Sequence, residues 1–199
     1  ENAIRETTNM IMTYNGNPVN AFYHASNGGI SALASESWEM KDYPYLLTKY
    51  DFIEGKNNNS NSYYTNEKSF RNFILDQNNK YYGSKHYLFR WRKKIASSQI
   101  LNLIYEDNPS IQKDQIIDLK IIKRGKSGRV IKLEIRQSGR IDPVILNKDD
   151  IRKYLKFLPS NLFIIDKLND DFWVFRGGGF GHGVGLSQSG AIDMAKSGF

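Results

Sequence analysis

Polar and apolar positions along the chain alternate in short runs broken by turn residues, with four stretches of helical spacing among them. Met10 to Tyr14 reads as extended, Asn15-Gly16-Asn17-Pro18 is a hairpin turn because Asn and Gly tolerate positive φ, and Val19 to Ala25 is the returning strand. That strand ends at a second sharp turn, Ser26-Asn27-Gly28-Gly29, which leaves open backbone amides at a strand end and suits either ligand binding or plain chain reversal. A polar low-complexity loop, Lys56 to Ser62, follows. Thr65 to Gln77 then places Phe70, Phe73 and Ile74 at helical spacing behind a Thr65 cap. From His86 to Ile95 the pattern alternates, with Tyr87, Phe89, Trp91 and Lys93 on one face and His86, Leu88, Arg90 and Arg92 on the other. Ser97 to Tyr105 is a short helix through Ile100, Leu101 and Ile104.

The clearest hairpin joins Ile116–Lys123 to Val130–Arg136 around Arg124-Gly125-Lys126-Ser127-Gly128-Arg129. Asn147 or Asp149 caps a helix running to Phe157, with Ile151, Tyr154, Leu155 and Leu158 on its buried side and Pro159 ending it. Leu162–Ile165 and Phe172–Arg176 are the last strands, and the second feeds a glycine stretch. These runs predict an α+β fold of mostly antiparallel strands, a single domain over 1–199 whose main unit is made by the first and last segments, with a helix-bearing insertion over about residues 56–115.

In the glycine stretch, Gly177, Gly179, Gly181, Gly183 and Gly185 occupy successive odd positions, so an extended chain turns bare backbone to one side. Phe180, His182, Val184 and Leu186 face the other way. A bare side invites another backbone or a flat ligand. Neither the dinucleotide nor the P-loop register fits the stretch, which excludes a nucleotide cradle of those kinds. After Leu186 the spacing turns helical, with Ser187 or Ser189 as cap.

Composition narrows the picture. The chain has 199 residues, 40% of them hydrophobic and 13% aromatic, as a globular protein requires. Twelve tyrosines, eleven phenylalanines and three tryptophans exceed what a minimal core needs, so some are expected to line a groove. A net charge of +7 favours an anionic partner, whether nucleic acid, a membrane surface or a wall polymer. The absence of cysteine excludes a disulfide framework and a thiolate metal site within the chain. No apolar run reaches the length of a membrane span. Both ends, Glu1 and Phe199, read as cuts, with a leader or anchor expected outside them.

Candidate chemistry is sparse. His24, His86 and His182 lack the spacing of a zinc site, and no serine nucleophile elbow occurs. His182, between two glycines, is either open to a ligand or bonded to a loop carbonyl. Glu36 lies two positions from Trp38, and desolvation by an indole raises a carboxyl pKa towards acid catalysis; the alternative is a surface Glu beside a half-buried Trp. The hairpin charges with Lys120, Lys132 and Arg136 either meet phosphates or protect a solvated edge.

Tyr23-His24-Ala25-Ser26-Asn27-Gly28-Gly29, then Glu36-Ser37-Trp38, then Ser127-Gly128-Arg129, and last Gly179 to Ala191 stand in the order found in one known family. The chain resembles the stage II sporulation protein D family, which includes the amidase enhancers. The resemblance implies a peptidoglycan lytic transglycosylase of spore engulfment, working with an amidase and a membrane scaffold. It implies an extracytoplasmic place at the sporulation septum, membrane-anchored through a segment outside this chain, with no nucleic-acid partner. The family's general-acid glutamate lies in an earlier Glu-Met-Pro segment that residues 1–199 do not contain, and zinc in some members draws on a Cys and a His from that region. No cofactor or metal ligand is therefore expected from this chain, and Glu36 is the best carboxylate left for catalysis. A transglycosylase needs one acid that protonates the glycosidic oxygen, and a long groove for the glycan. Tyr23, Ser26, Asn27, Gly28, His182 and Gln188 are the expected substrate contacts, with the Ser26–Gly29 turn facing the Gly177–Gln188 stretch across that groove. The rival readings are a non-catalytic wall-binding module that stimulates an amidase, and a basic nucleic-acid binder using the hairpin and exposed aromatics.

Overall fold

The computed structural model describes residues 2–53, 66–77, 80–107 and 115–199. The elements are α1 (Asn2–Glu6), β1 (Thr13–Tyr14), β2 (Asn17–Pro18), β3 (Tyr23–His24), α2 (Ala34–Ser37), α3 (Glu67–Leu75), β4 (Trp91–Ala96), α4 (Ser97–Asp107), β5 (Ile116–Arg124), β6 (Val130–Gln137), β7 (Val144–Asn147), α5 (Asp150–Tyr154), β8 (Phe163–Lys167), β9 (Phe172–Gly177), β10 (Leu186–Ser187) and α6 (Gln188–Lys196). The fold is α+β and, with one short exception, its paired strands are antiparallel.

Two three-stranded sheets carry the core. In one, β5, β6 and β7 follow one another as antiparallel neighbours. In the other, β9 lies between β4 and β8. The segment expected to be an insertion thus contributes β4 to the sheet that feeds the glycine stretch, with Trp91 paired to Gly177 and Ala96 to Phe172. Ile100, Leu101 and Ile104 of α4 join the same apolar cluster as Leu133, Ile135, Phe163 and Trp173. Each such side chain withdrawn from water contributes about 1.5–3 kcal/mol.

Local signals explain most element ends. Asn15 (φ 49°) and Gly16 (φ 77°) take the left-handed conformation of a two-residue hairpin between β1 and β2. At the start of α3 the cap is Asn66, whose Oδ1 accepts from the Ser69 amide at 2.8 Å; Thr65, the expected cap, lies outside the described residues. Ser187 caps α6, accepting from the Gly190 amide at 3.3 Å. The low-complexity loop from Lys56 to Ser62 also lies outside the described residues. Among the described residues no helix is long and apolar enough to cross a membrane.

Val19 to Ala25, expected to be one strand, is paired only over β3, and its partner is parallel and distant. Tyr23 pairs with Leu186 and His24 with Ser187. This short ladder brings the first and last segments of the chain together.

Candidate functional site

The two motif segments are in direct contact. Ser26 and Phe180 exchange both backbone bonds, the Ser26 amide to the Phe180 carbonyl at 3.1 Å and the Phe180 amide to the Ser26 carbonyl at 2.8 Å. A Cβ on Gly28 would stand 2.6 Å from the Gly178 carbonyl carbon, and one on Gly179 would stand 2.6 Å from the Ser26 oxygen. The expectation that these segments face each other across a groove is therefore corrected. Bare backbone on both sides lets them meet, and the partner of the glycine face is another piece of chain.

Beneath this junction lies a buried polar knot. Arg129, 1% exposed, donates from Nη1 to the Ile30 carbonyl at 3.1 Å and from Nη2 to the Asn27 carbonyl at 3.0 Å. Its guanidinium occupies the space that a Cβ on Gly183 would fill, 2.1 Å from Nη2. Burial lowers its pKa to about 10, which leaves it cationic at neutral pH, and the nearby Glu36 charge opposes the shift. Glu36, 3% exposed, accepts from the Ser127 amide at 3.2 Å through Oε1 and from the Ser127 hydroxyl through Oε2. Gly125 passes over its carboxyl group with no room for a side chain. Burial raises the Glu36 pKa, against which Ser127 and Arg129 act.

The histidines are fixed by one residue. Val184 accepts from His24 Nδ1 at 3.1 Å with its carbonyl and donates to His182 Nδ1 at 3.1 Å with its amide. His24 therefore carries its proton on Nδ1, while Nδ1 of His182 is an acceptor. Burial, with Arg129 and His182 nearby, lowers the His24 pKa to about 3. Burial also lowers that of His182, opposed by a bond to the Tyr23 backbone. The His182 ring lies 4.7 Å from Trp38 and 5.4 Å from His24, centre to centre. His182 is half-buried and bonded to loop backbone, and it does not line the groove beyond the β3–β10 ladder.

A groove of about 670 Å³ opens on the other side of the β3–β10 ladder, lined among others by Tyr14, Phe22, Asn27, Tyr45, Leu47 and Asp51. Alternate residues of one extended segment, Leu47, Lys49 and Asp51, line it, while Thr48 is buried behind. Asn27 donates from Nδ2 to Asp51 Oδ2 at 2.7 Å, and its own Oδ1 accepts from the Gly29 amide at 2.8 Å, which fixes the amide's orientation. Burial raises the Asp51 pKa, opposed by the bond from Asn27. Gly190 closes over the same carboxylate, where a Cβ would stand 3.0 Å from Oδ2. Tyr14, Phe22 and Tyr45 line the groove, and a run of rings connects them: Tyr14 is 5.3 Å from Tyr45, Tyr45 5.4 Å from Tyr43, Tyr43 6.3 Å from Phe22, and Phe22 5.1 Å from Trp38, with Tyr43 and Trp38 packed behind the lining against Ala32, Ala34 and Val184. Trp38 in turn meets His182 at a tilted angle of 49°.

Of the residues singled out from the sequence, Asn27 lines this groove, and Ser26 and Gly28 build the buried turn that carries it. Tyr23 is 63% exposed and Gln188 is exposed at the start of α6; neither lines the groove. Glu36 lies in the knot below. Asp51 and the two lining tyrosines, Tyr14 and Tyr45, are not among the individual residues the motifs point to. The basic hairpin turns part of its charge inward: Arg124 pairs with Glu67 at 2.6 Å and covers the Phe70 ring at 4.0 Å, while Arg129 is buried. Zinc, implied by the resemblance for longer relatives, does not fit these residues. The chain has no cysteine, and among the described residues no three His, Asp or Glu side chains converge.

The chain is thus an α+β domain whose two glycine-rich segments lock together beside an aromatic-walled groove. A family model described as "Domain of unknown function (DUF8618)" matches residues 32–185, and the chain belongs to that family. It is also similar to the amidase enhancer of Bacillus subtilis (strain 168), at 22% identity over 209 aligned residues. That alignment covers 98% of this chain and 30% of the relative, so the chain spans under a third of that curated protein's length. The similarity meets the resemblance drawn from the motifs on its amidase-enhancer side.

Proposed function

We propose that this chain binds peptidoglycan glycan strands outside the cytoplasm, as part of a longer protein that works beside a cell-wall amidase. The observation that carries the reading is the set of rings Tyr14, Phe22 and Tyr45 lining a groove that Asn27 and Asp51 also line. Sugar rings present C–H faces that pack on aromatic side chains, and a few polar groups at the floor fix their orientation. The net charge of +7 draws the domain to anionic wall polymers. The name of the amidase enhancer supports a cell-wall setting and an amidase partner.

Presentation of the strand, rather than its cleavage by Glu36, is the role we assign to this chain. Both Glu36 oxygens are engaged by Ser127 and the group is sealed from solvent. Lytic transglycosylase action by the longer protein would draw its acid from another residue.

Cosedimentation with purified sacculi tests the reading. The 199-residue chain is expected to pellet with them, and the Tyr14→Ala/Tyr45→Ala double variant to bind about tenfold more weakly, equivalent to about 1.4 kcal/mol. Retention no greater than that of an unrelated protein of equal charge would overturn it.

A further inference from the structure

Among the described residues Asp51 is the one carboxylate lining the groove, and it makes no bond to Glu36, Ser127 or Arg129 of the buried knot. Asp51 is anchored through its backbone, its amide donating to the Gly29 carbonyl at 3.1 Å and its carbonyl accepting from the Tyr82 amide at 2.8 Å. Its side chain is therefore not needed to hold this segment in place. Oδ2 is occupied by Asn27 and crowded by Gly190. Among the described residues Oδ1 has no hydrogen-bond partner, although the residue lines the groove. Asn27 is itself held at its amide oxygen by Gly29 and at its carbonyl by Arg129, so the aim of the carboxylate is set from the core. A part-buried acceptor held in place by a buried donor, at the floor of an otherwise mostly apolar groove, is built to receive an N–H or O–H from a ligand.

Resting on the glycan reading above, we propose that Asp51 is the polar anchor of a subsite that selects N-acetylated amino sugars over their free amines. Oδ1 accepts the acetamido N–H, the apolar lining that includes Met12, Val19 and Leu47 takes the acetyl methyl, and Asn27 acts as a positioning residue behind the carboxylate. Two features select against a free amine. Lys49 lines the same groove two residues from Asp51, about 6.5 Å along an extended chain, and repels an ammonium. An ammonium also loses its hydration on entering the mostly apolar groove and brings no methyl for the apolar lining, which offsets its attraction to the carboxylate.

The test is calorimetric titration of the 199-residue chain with the β-1,4-linked N-acetylglucosamine trimer and with the matching glucosamine trimer, beside cosedimentation with sacculi. The acetylated trimer is expected to bind at least about tenfold more tightly, and Asp51→Asn to weaken it by about tenfold while leaving the circular dichroism spectrum unchanged. Should Asp51→Asn not fold, Gly190→Ala, which presses on Oδ2, is expected to weaken the same trimer. Equal or tighter binding of the glucosamine trimer overturns the proposal, as does undiminished affinity in whichever variant folds. If sacculi are retained but neither trimer binds, the subsite falls and the glycan reading stands. If sacculi are not retained, both fall.

Discussion

The Glu36 carboxylate and the Ser127 hydroxyl, 91 residues apart in sequence, are bonded to each other in the interior. One stands on the short helix α2, the other in the turn between β5 and β6, and Arg129 two residues on reaches back to the Ile30 and Asn27 carbonyls. The pair ties the hairpin to α2, and Arg129 ties it to the motif turn that carries Asn27 into the groove. Glu36→Gln is therefore a stability variant. Loss of the anion leaves Arg129 buried without its compensating charge, at about 2–4 kcal/mol. Urea unfolding measures this, and the folded fraction is expected to bind glycan with wild-type affinity. Loss of binding at unchanged stability would return Glu36 to the site.

Gly183→Ala sets a Cβ against the Arg129 guanidinium at a φ of +83°, and Gly28→Ala sets one against the Gly178 backbone at +69°. Neither obstacle is the mobile end of a surface side chain. Each variant is expected to lose about 3 kcal/mol or more, through steric conflict and left-handed strain together. Gly16→Ala meets nothing within 4 Å and retains only the strain of its φ of +77°, so its loss is expected to be smaller. Thermal melts of the three compare the two terms.

Acid sensitivity follows from His24. Its folded pKa of about 3 lies below the ordinary 6.5, so between those values the unfolded chain binds the extra proton. The stabilisation is complete above pH 6.5 and falls as pH drops towards 3, by up to about 1.4 kcal/mol per pH unit. Asp51 and Glu36 act with opposite sign from their ordinary values of 3.8 and 4.5 upward. Unfolding free energies at pH 6 and pH 5 are expected to show a shallower slope in His24→Phe than in the wild type.

Asp51→Asn is expected to raise the melting temperature at pH 7, by about 2 °C or more, even as it weakens the ligand. A carboxyl whose pKa burial raises is least favourable when ionised, and the penalty disappears as pH falls through its folded value towards 3.8. The gain should therefore shrink towards pH 4. A lower melting temperature at pH 7 would show the carboxylate to be structural.

The sequence made the local elements legible. Alternation in 116–123 and 130–136 and the turn between them mark β5 and β6, and Ser187 marks the start of α6. What it hid was non-local. The β3–β10 ladder pairs residues 163 positions apart (186 − 23 = 163), and no window of sequence carries that. The glycine spacing was visible, but the extended face expected from it is not what forms: Gly179, Gly181, Gly183 and Gly185 all take left-handed φ, and each packs against a different partner, Ser26, His24, Arg129 and Phe22. Asp51 sits between Tyr50 and Phe52, which pack against the cluster of Phe70, Phe73 and Tyr81, and no motif sets it apart. The alternation of Leu47, Lys49 and Asp51, which share the groove, is the one local signal from which it could be found.

Nuclear magnetic resonance titration of the chain with soluble glycan fragments from digested sacculi addresses the central claim most directly. The account predicts chemical-shift changes centred on Tyr14, Phe22, Asn27, Tyr45 and Asp51, with Lys120, Lys126 and Lys132 of the basic hairpin unmoved. Shifts confined to that hairpin, or none at saturating fragment, would contradict it.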